Sequence, residues 1–172
     1  MAPTPANLAR LYDEHAAALY VFLLGFTGQE ADARDLLQEV FCKLAGRPAL
    51  LDGARNARAV LLQTCYRLGI DWARRREVRR RYEDGFAARP GGAVFAPGDD
   101  PDLRTFRAAL GAALLDLPAE QRAVVSLKLW QGLTFQEIAE ATGTSPHTAA
   151  SRYRYALDKL RGHLRPIYEE IR

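Results

Sequence analysis

Apolar residues recur every three or four positions along most of the chain, which is the spacing of one face of an α-helix. Sustained alternation of apolar and polar residues, the pattern of β-strands, does not occur. The first apolar stripe consists of Leu8, Leu11, Tyr12, His15, Leu19, Phe22, Leu23 and Phe26. Thr27 and Gly28 follow this stripe, and glycine commonly ends a helix. The periodicity therefore predicts an all-α fold.

Two further stripes complete the N-terminal part of the chain. A second helix, over about residues 29–45, directs Leu37, Val40, Phe41 and Leu44 inward. A third helix, over about residues 56–82, buries Leu61, Cys65, Leu68 and Trp72. Three amphipathic helices can enclose one core, so residues 1–82 are expected to form a small helical domain.

The helical pattern stops at residues 83–102, EDGFAARPGGAVFAPGDDPD, which contain four glycines, three prolines and five acids. This composition predicts a flexible linker between residues 1–82 and a second domain over residues 103–172. A flexible coil of this length spans roughly 25 Å, and a fully extended one about 66 Å. A long loop inside a single domain is the alternative, and such loops are less common.

A four-helix domain is expected after the linker. Leu103, Phe106, Leu110, Leu114 and Leu117 form its first stripe. Pro118 begins a second helix, and Gly132 follows that helix. Thr134 and Glu137 have the spacing of a capping box, and Ser145-Pro146 is a good start for a last helix. Residues 134–160 therefore resemble a helix-turn-helix, with Gly143 at the turn.

The last helix has two distinct faces. The core-directed face consists of Tyr153, Ala156, Leu157, Leu160 and Leu164. The outward face consists of His147, Thr148, Ser151, Arg152, Arg154 and Tyr155, nearly all able to hydrogen-bond a base edge or a phosphate. The basic residues Lys159, Arg161 and Arg165 follow these side chains and favour DNA binding over a merely solvated face.

Charge is concentrated near the end of the third helix. The net charge is only +3, but residues 74–81 contain six arginines and one acid. Such a cluster indicates a polyanion-facing surface, and a solvated helix end is the alternative. The aromatic residues Tyr66, Trp72 and Tyr82 lie close to it in sequence, as in proteins that hold unpaired strands. The apolar stripe assigns Trp72 to the core, which leaves Tyr66 and Tyr82 as the better candidates for base contact.

No enzymatic pattern is present. His15, His147 and His163 are scattered, and the sequence has neither a glycine-rich phosphate loop nor a nucleophile motif. We therefore expect no catalytic residue, metal or cofactor. Cys42 and Cys65 lack metal-site spacing and lie in apolar patterns, which predicts reduced core thiols. Without a long apolar run or a signal-peptide pattern, the chain is expected to be cytoplasmic and not inserted in a membrane.

Three segments together resemble a known family. DARDLLQEVFCKLAG (32–46), RAVLLQTCYRLGIDWARRR (58–76) and LPAEQRAVVSLKLWQGLTFQEIAEATGTSPHTAASRYRYALDKLR (117–161) are similar to conserved regions two and four of extracytoplasmic-function (ECF) sigma factors. The resemblance covers most of the chain outside the linker. It implies a three-helix region 2 and a four-helix region 4, which direct core RNA polymerase to promoter DNA while the polymerase performs the chemistry.

The resemblance also implies roles for individual residues. Asp32, Asp35, Gln38 and Glu39 would dock on the clamp helices of the largest polymerase subunit, although a solvated helix face also explains them. Asn56, Arg67, Arg74, Arg75 and Arg76 would contact the minus-ten element, and the outward face of the last helix would read the minus-thirty-five element.

Some positions depart from the family pattern. Ala150 replaces the usual basic residue, Arg67 replaces a small polar residue, and the segment 46–53 is unlike the commoner loop. The promoter sequence therefore cannot be carried over. Many relatives are inhibited by an anti-sigma factor, which we also expect here. A stand-alone helix-turn-helix regulator is the alternative function, but it leaves the N-terminal half unexplained.

Overall fold

The computed structural model describes residues 5–51, 56–82 and 101–171, and within these ranges it contains seven α-helices and no strand. The helices are α1 (Pro5–Thr27), α2 (Glu30–Gly46), α3 (Ala57–Tyr82), α4 (Pro101–Leu115), α5 (Ala119–Leu129), α6 (Phe135–Thr142) and α7 (Pro146–Ile171). A short 3-10 turn, Pro48–Leu50, follows α2. The all-α prediction is confirmed. Residues 83–100 of the predicted linker lie outside the described residues, and residues 101 and 102 begin α4.

Helices α1, α2 and α3 pack around the apolar stripes that the sequence predicts. Phe22, Phe26, Val40, Leu44 and Leu61 are completely buried. The ring of Phe26 lies 6.1 Å from that of Phe22 and 6.4 Å from that of Trp72. Trp72 is buried as its stripe predicts. Gly28 ends α1 with a φ of 71°, a left-handed conformation that favours glycine.

Helices α4, α5 and α7 surround a second apolar cluster. Leu114, Val125, Ala156 and Leu160 are buried in it, and Leu164 packs against its edge. Ala156 and Leu160 lie at the centre of the predicted core-directed face of α7, so that face is confirmed there. At the carboxyl end of α5, the Trp130 amide donates to the Ser126 carbonyl.

The two helix groups also share a continuous core, which differs from our expectation of separate cores. Ala123, Val124, Leu127, Ile138 and Ala149 are buried in the same cluster as the α1 to α3 residues. Helix α3 packs against α6, and α1 packs against both α4 and α5. Because the consecutive residues 122–127 of α5 are all buried, this helix packs against neighbours around its whole circumference and contacts both groups. This packing determines which candidate site residues are accessible.

The prediction that both cysteines lie in the core is wrong for Cys42. Cys65 is buried, but Cys42 is exposed on α2. Cys42 directly follows the buried residue Phe41, and one step along a helix rotates a side chain by about 100° away from it. The neighbouring apolar residues therefore do not bring Cys42 into the core.

Candidate nucleic-acid interface

The helix-turn-helix begins at a capping box formed as the sequence predicts. The Glu137 amide donates to Thr134 Oγ1 at 3.2 Å, and the Thr134 amide donates to Glu137 Oε2 at 2.8 Å. These two bonds satisfy amides that the first turn of α6 leaves without intrahelical partners. The bond from the Thr134 amide also lowers the pKa of the Glu137 carboxyl, because it favours the charged form.

The turn between α6 and α7 is tightly determined. Gly143 ends α6 with a φ of 69°, and the Thr144 amide donates to the Ala139 carbonyl at 3.0 Å. Ser145 then caps α7, since its Oγ accepts from the Thr148 amide at 3.0 Å. These contacts fix the direction in which α7 leaves the turn.

The outward face of α7 contains the six residues predicted to contact DNA. His147, Arg154 and Tyr155 are exposed, and the Arg154 guanidinium lies 5.5 Å from the centroid of the Tyr155 ring. Thr148 and Ser151 are half-buried, and the Thr148 and Ser145 hydroxyls lie 2.9 Å apart. These five residues form a polar surface at the start of α7.

Arg152 differs from its neighbours, because it faces the N-terminal helices. It is half-buried, and its guanidinium lies near the hydroxyl of Tyr66 on α3. Burial raises the pKa of Tyr66, while the nearby positive charge of Arg152 partly opposes that shift. Helix α3 thus partly covers the Arg152 side chain, which the periodicity of α7 places on its outward face.

The arginine cluster of α3 has an exposed part and a packed part. Arg67, Arg74 and Arg75 are exposed, as contact with DNA requires. Arg76 is half-buried, and its guanidinium lies 5.2 Å from the centroid of the Trp72 ring. One guanidinium of this cluster, that of Arg76, thus covers the buried ring of Trp72.

Asn56 lies at the start of α3, where the structure gives its side chain a local role. The Ala59 amide donates to Asn56 Oδ1 at 3.3 Å, so Asn56 caps the helix. The residue is nevertheless exposed. Residues 52–55, directly before it, lie outside the described residues, and with them lies the end of the segment 46–53, which departs from the family pattern.

The predicted polymerase-binding residues follow one edge of α2. Asp35 and Gln38 are exposed, and Asp32 and Glu39 are half-buried. An open groove of about 740 Å³ separates this edge from α3, and Arg74, Arg75 and Arg79 are among the residues on its opposite side. An ion pair joins α2 to α3 here, since Asp32 Oδ2 lies 3.7 Å from Arg76 Nη1. An acidic edge and a basic edge are therefore adjacent.

The polar residues that join the two helix groups were not predicted from the sequence. Arg122 Nη1 donates to the Phe26 carbonyl at 2.8 Å, and its guanidinium lies 4.9 Å from the centroid of the Phe26 ring. Gln131 Nε2 donates to the Ala18 carbonyl at 2.7 Å, and Arg58 Nη2 donates to the Gln131 carbonyl at 3.0 Å. One signal was available: Arg122 and Ser126 interrupt the apolar surface of α5 at a four-residue spacing.

The described residues show no group of three or more histidine, cysteine or acidic residues suited to a metal ion. Over the same part of the chain, no helix has both the length and the apolar character needed to cross a membrane.

Known proteins resemble the chain over nearly its whole length. Residues 107–160 match the family model for region 4 of sigma-70. The ECF RNA polymerase sigma factor SigL of Mycobacterium tuberculosis is 34% identical over 91% of this chain and 88% of its own. The ECF RNA polymerase sigma factor SigX of Bacillus subtilis is 28% identical, over 94% of this chain and 85% of its own.

The fold also matches a solved structure, that of the sigma factor RpoE from Bartonella quintana in complex with the anti-sigma factor NepR. The TM-score is 0.74 at 21% identity, with 91% of this chain and 96% of the other covered. The helices therefore adopt a sigma-factor fold. Together with the identity to SigL, which extends over both helix groups, this establishes that the chain belongs to the family of ECF RNA polymerase sigma factors.

Proposed function

We propose that this sigma factor directs core RNA polymerase to a specific class of promoters by contacting each promoter at two separated elements. The identity to SigL carries this proposal, because it spans the helix-turn-helix and the N-terminal helices together. A stand-alone regulator needs only the helix-turn-helix. We place this action in the cytoplasm, where bacterial DNA and polymerase meet.

In this proposal the upstream, minus-thirty-five element is read by α7. The exposed side chains of His147, Arg154 and Tyr155 lie at the beginning of the helix, which is the part of a recognition helix that reaches base edges. Thr148 and Ser151 add hydroxyl donors and acceptors. Arg152 joins this contact set once Tyr66 no longer covers it.

The minus-ten element is held by α3 in the same proposal. Arg67, Arg74 and Arg75 are exposed, so they can contact phosphates, and Asn56 lies at the amino end of the helix. Arg76 supports this surface from its position over the Trp72 ring. Because single-stranded DNA binds cationic surfaces that include aromatic rings, α3 is suited to the melted non-template strand.

Polymerase docking is assigned to the acidic edge of α2. Asp35 and Gln38 are exposed at its centre, and Asp32 and Glu39 flank them. Acidic side chains on a rigid helix attract and orient a basic partner surface. We also propose an anti-sigma factor as a regulatory partner, supported by the fold similarity to RpoE, which was solved with NepR. Catalysis of RNA synthesis belongs to the polymerase, and no enzymatic role is assigned to this chain.

Run-off transcription tests the proposal. Core polymerase is incubated with fragmented genomic DNA, with and without the purified chain, and transcript starts are mapped. We expect a set of starts that depends on the chain and shares two upstream sequence elements. Starts that do not change when the chain is added would contradict the proposal.

A matched pair of variants assigns the upstream element. Arg154→Ala removes an exposed guanidinium from the predicted DNA face, whereas Arg10→Ala removes one that lies on α1 and pairs with Glu14. We expect Arg154→Ala to reduce transcription from promoters with an upstream element and Arg10→Ala to have a smaller effect. Equal effects would remove base reading by Arg154 from the proposal.

A further inference from the structure

A lysine side chain holds the short connection between α5 and α6. The ammonium nitrogen of Lys128, near the end of α5, donates to the Leu133 carbonyl at 3.0 Å. The Leu133 amide donates back to the Leu127 carbonyl at 3.2 Å. Leu133 is buried, and Gly132 before it has a φ of 65°, a left-handed conformation that favours glycine. Lys128 therefore helps to fix the point at which the chain turns from α5 into the helix-turn-helix.

The same ammonium group lies against the first aromatic ring of the helix-turn-helix. Lys128 Nζ is 4.9 Å from the centroid of the Phe135 ring, which is within the range of a cation–π interaction. Both side chains are half-buried, and partial removal of water strengthens this attraction. Phe135 is the first residue of α6 and directly follows the capping residue Thr134. One cation thus contacts both the loop backbone and the start of α6.

The Phe135 ring in turn contacts the proposed recognition helix. It packs against the Tyr153 ring edge to face, with the centroids 5.7 Å apart and the planes at 61°. Tyr153 is half-buried on α7, one residue before the exposed candidate DNA contact Arg154. The side chains of Lys128, Phe135 and Tyr153 therefore form a cation–aromatic chain that connects α5 through α6 to α7.

The cation–aromatic chain gives α7 a second anchor beyond the turn. Gly143 and Ser145 fix the helix at its start. Tyr153 lies eight residues after Ser145, which is about 12 Å further along a helix axis. A single anchor leaves a helix free to swing and to rotate about its axis, whereas two separated anchors define both motions. Because hydrogen bonds to base edges weaken steeply with poor distance and angle, this orientation affects how well the outward face of α7 can read DNA.

We propose that Lys128 is a positioning residue for promoter recognition, which orients α7 through Phe135 and Tyr153 without contacting DNA itself. The inference deepens the proposed function and rests on it, because the surface that Lys128 positions is the one proposed to read the minus-thirty-five element. Removing the ammonium group should therefore reduce discrimination between promoters more than it reduces general affinity for DNA. A lysine that bound a phosphate would instead weaken binding to all sequences alike when removed.

The experiment measures discrimination by the holoenzyme, assembled from core polymerase and the full-length chain. Filter binding compares a promoter mapped by run-off transcription with the same promoter carrying a scrambled upstream element. The ratio of the two affinities is the quantity compared between variants. Lys128→Met keeps an unbranched apolar side chain and removes the charge, and we expect it to lower the ratio about tenfold, as the loss of one well-placed base contact would. An unchanged ratio would overturn the inference.

Lys128→Arg and Leu164→Ala are the matched controls, measured at a temperature at which circular dichroism shows every variant folded. Arginine keeps a cation and hydrogen-bond donors, so Lys128→Arg should retain a higher ratio than Lys128→Met. Leu164 packs against the second apolar cluster, eleven residues beyond Tyr153 on α7. Leu164→Ala should therefore destabilise the same helices without lowering the ratio. No rescue by arginine, or an equal loss of discrimination in Leu164→Ala, would contradict a positioning role.

The salt dependence of binding distinguishes positioning from a direct phosphate contact. Removing a lysine that binds a phosphate reduces the slope of log affinity against log salt concentration by about one. We expect Lys128→Met and the wild type to have the same slope on the unaltered promoter. A slope reduced by about one would identify Lys128 as a phosphate contact and would rule out the inference.

Phe135→Leu provides a second test, which remains available if Lys128→Met does not fold. It removes the ring that contacts both Lys128 and Tyr153 but keeps an apolar side chain. We expect a lower ratio again, and the double variant should lose no more discrimination than the more affected single variant, because both residues act through one chain of contacts. An unchanged ratio in Phe135→Leu, or additive losses in the double variant, would overturn the inference.

The wild-type holoenzyme separates a failure of this inference from a failure of the proposed function. If it binds the unaltered and the scrambled promoter equally well, reading of an upstream element is wrong, and positioning for that reading is wrong with it. If the wild type discriminates and Lys128→Met discriminates equally well, only the inference about Lys128 is overturned.

Discussion

The Nη1 atom of Arg76 on α3 lies 3.7 Å from the Oδ2 atom of Asp32 on α2. This pair connects two surfaces that the resemblance assigns to different partners, the promoter and the polymerase. Both side chains are partly exposed, so the pair contributes little to the stability of the fold. The pair shows instead that the acidic edge of α2 is adjacent to the basic surface of α3.

The acidic edge of α2 gives the first prediction. The double variant Asp35→Ala and Gln38→Ala should weaken association with core polymerase by about tenfold or more, since central interface residues carry most of the binding energy. Both residues are exposed, so circular dichroism and the unfolding temperature should remain close to those of the wild type.

Arg34→Ala is the control for this edge, because Arg34 is also exposed on α2 but pairs with Glu30 at 2.7 Å. Binding to immobilised core polymerase measures all three proteins. Unchanged association of the double variant would remove this edge as the docking surface.

Arg152 gives the second prediction. If its guanidinium makes a bidentate base contact in the promoter complex, Arg152→Ala should cost about 1–3 kcal/mol in recognition of the upstream element. Filter binding of the holoenzyme to promoters with and without that element measures the difference. Association of the chain with core polymerase should not change, and a loss of that association would contradict the assignment of Arg152 to DNA.

The capping box of α6 gives the third prediction. Thr134→Ala removes the hydroxyl that accepts from the Glu137 amide and should destabilise the protein by about 1 kcal/mol. Urea unfolding followed by circular dichroism measures this change. Gln136→Ala, an exposed substitution in the same turn, should change stability by less than about 0.5 kcal/mol. Equal effects of the two substitutions would show that the cap contributes nothing.

The same cap should make the stability depend on pH in the acid range. The Thr134 amide lowers the pKa of Glu137 below its ordinary value of 4.5, so the folded state favours the charged carboxylate. The resulting stabilisation is fully present at pH values above 4.5, the ordinary pKa of the carboxyl. It is lost as the pH falls through the lowered pKa that Glu137 has in the folded state. Glu137→Gln should therefore be less stable than the wild type at pH 7, and the difference should diminish toward pH 3. A difference in unfolding free energy that is independent of pH would contradict this role.

The two cysteines should differ strongly in reactivity. Cys42 is exposed, whereas burial raises the pKa of the Cys65 thiol well above its usual range and keeps it protonated. Under native, reducing-agent-free conditions, a thiol reagent should therefore modify one cysteine rapidly, and Cys42→Ser should abolish that fast phase. In denaturant both thiols should react. Rapid modification of native Cys42→Ser would show that Cys65 is accessible.

Local patterns in the sequence predicted most of the helices, because the signals that start and end a helix act over a few residues. Gly28 and Gly143 end helices with positive φ, and Thr134 begins one with its capping box. Trp72 is buried because its apolar stripe faces the core. These features depend on nearest neighbours along the helix and are readable without a three-dimensional structure.

The packing between the helix groups could not be predicted in the same way. Gln131 and Ala18 are far apart in sequence, and nothing in the local pattern around either residue indicates their hydrogen bond. Arg152 lies on the polar face of α7, so periodicity assigns it to solvent or DNA. Only the three-dimensional structure shows that Tyr66 lies beside it. The roles of Asp35 and Arg67 remain predictions from the family resemblance.

Promoter binding measured with and without core polymerase shows whether promoter recognition depends on the polymerase. Gel-shift measurements use a duplex with both promoter elements and the chain alone, core polymerase alone, or both proteins together. We expect a specific, competitor-resistant complex only when both proteins are present. Specific binding of the chain alone to an intact palindromic site, unaffected by polymerase, would contradict this expectation and indicate a stand-alone regulator.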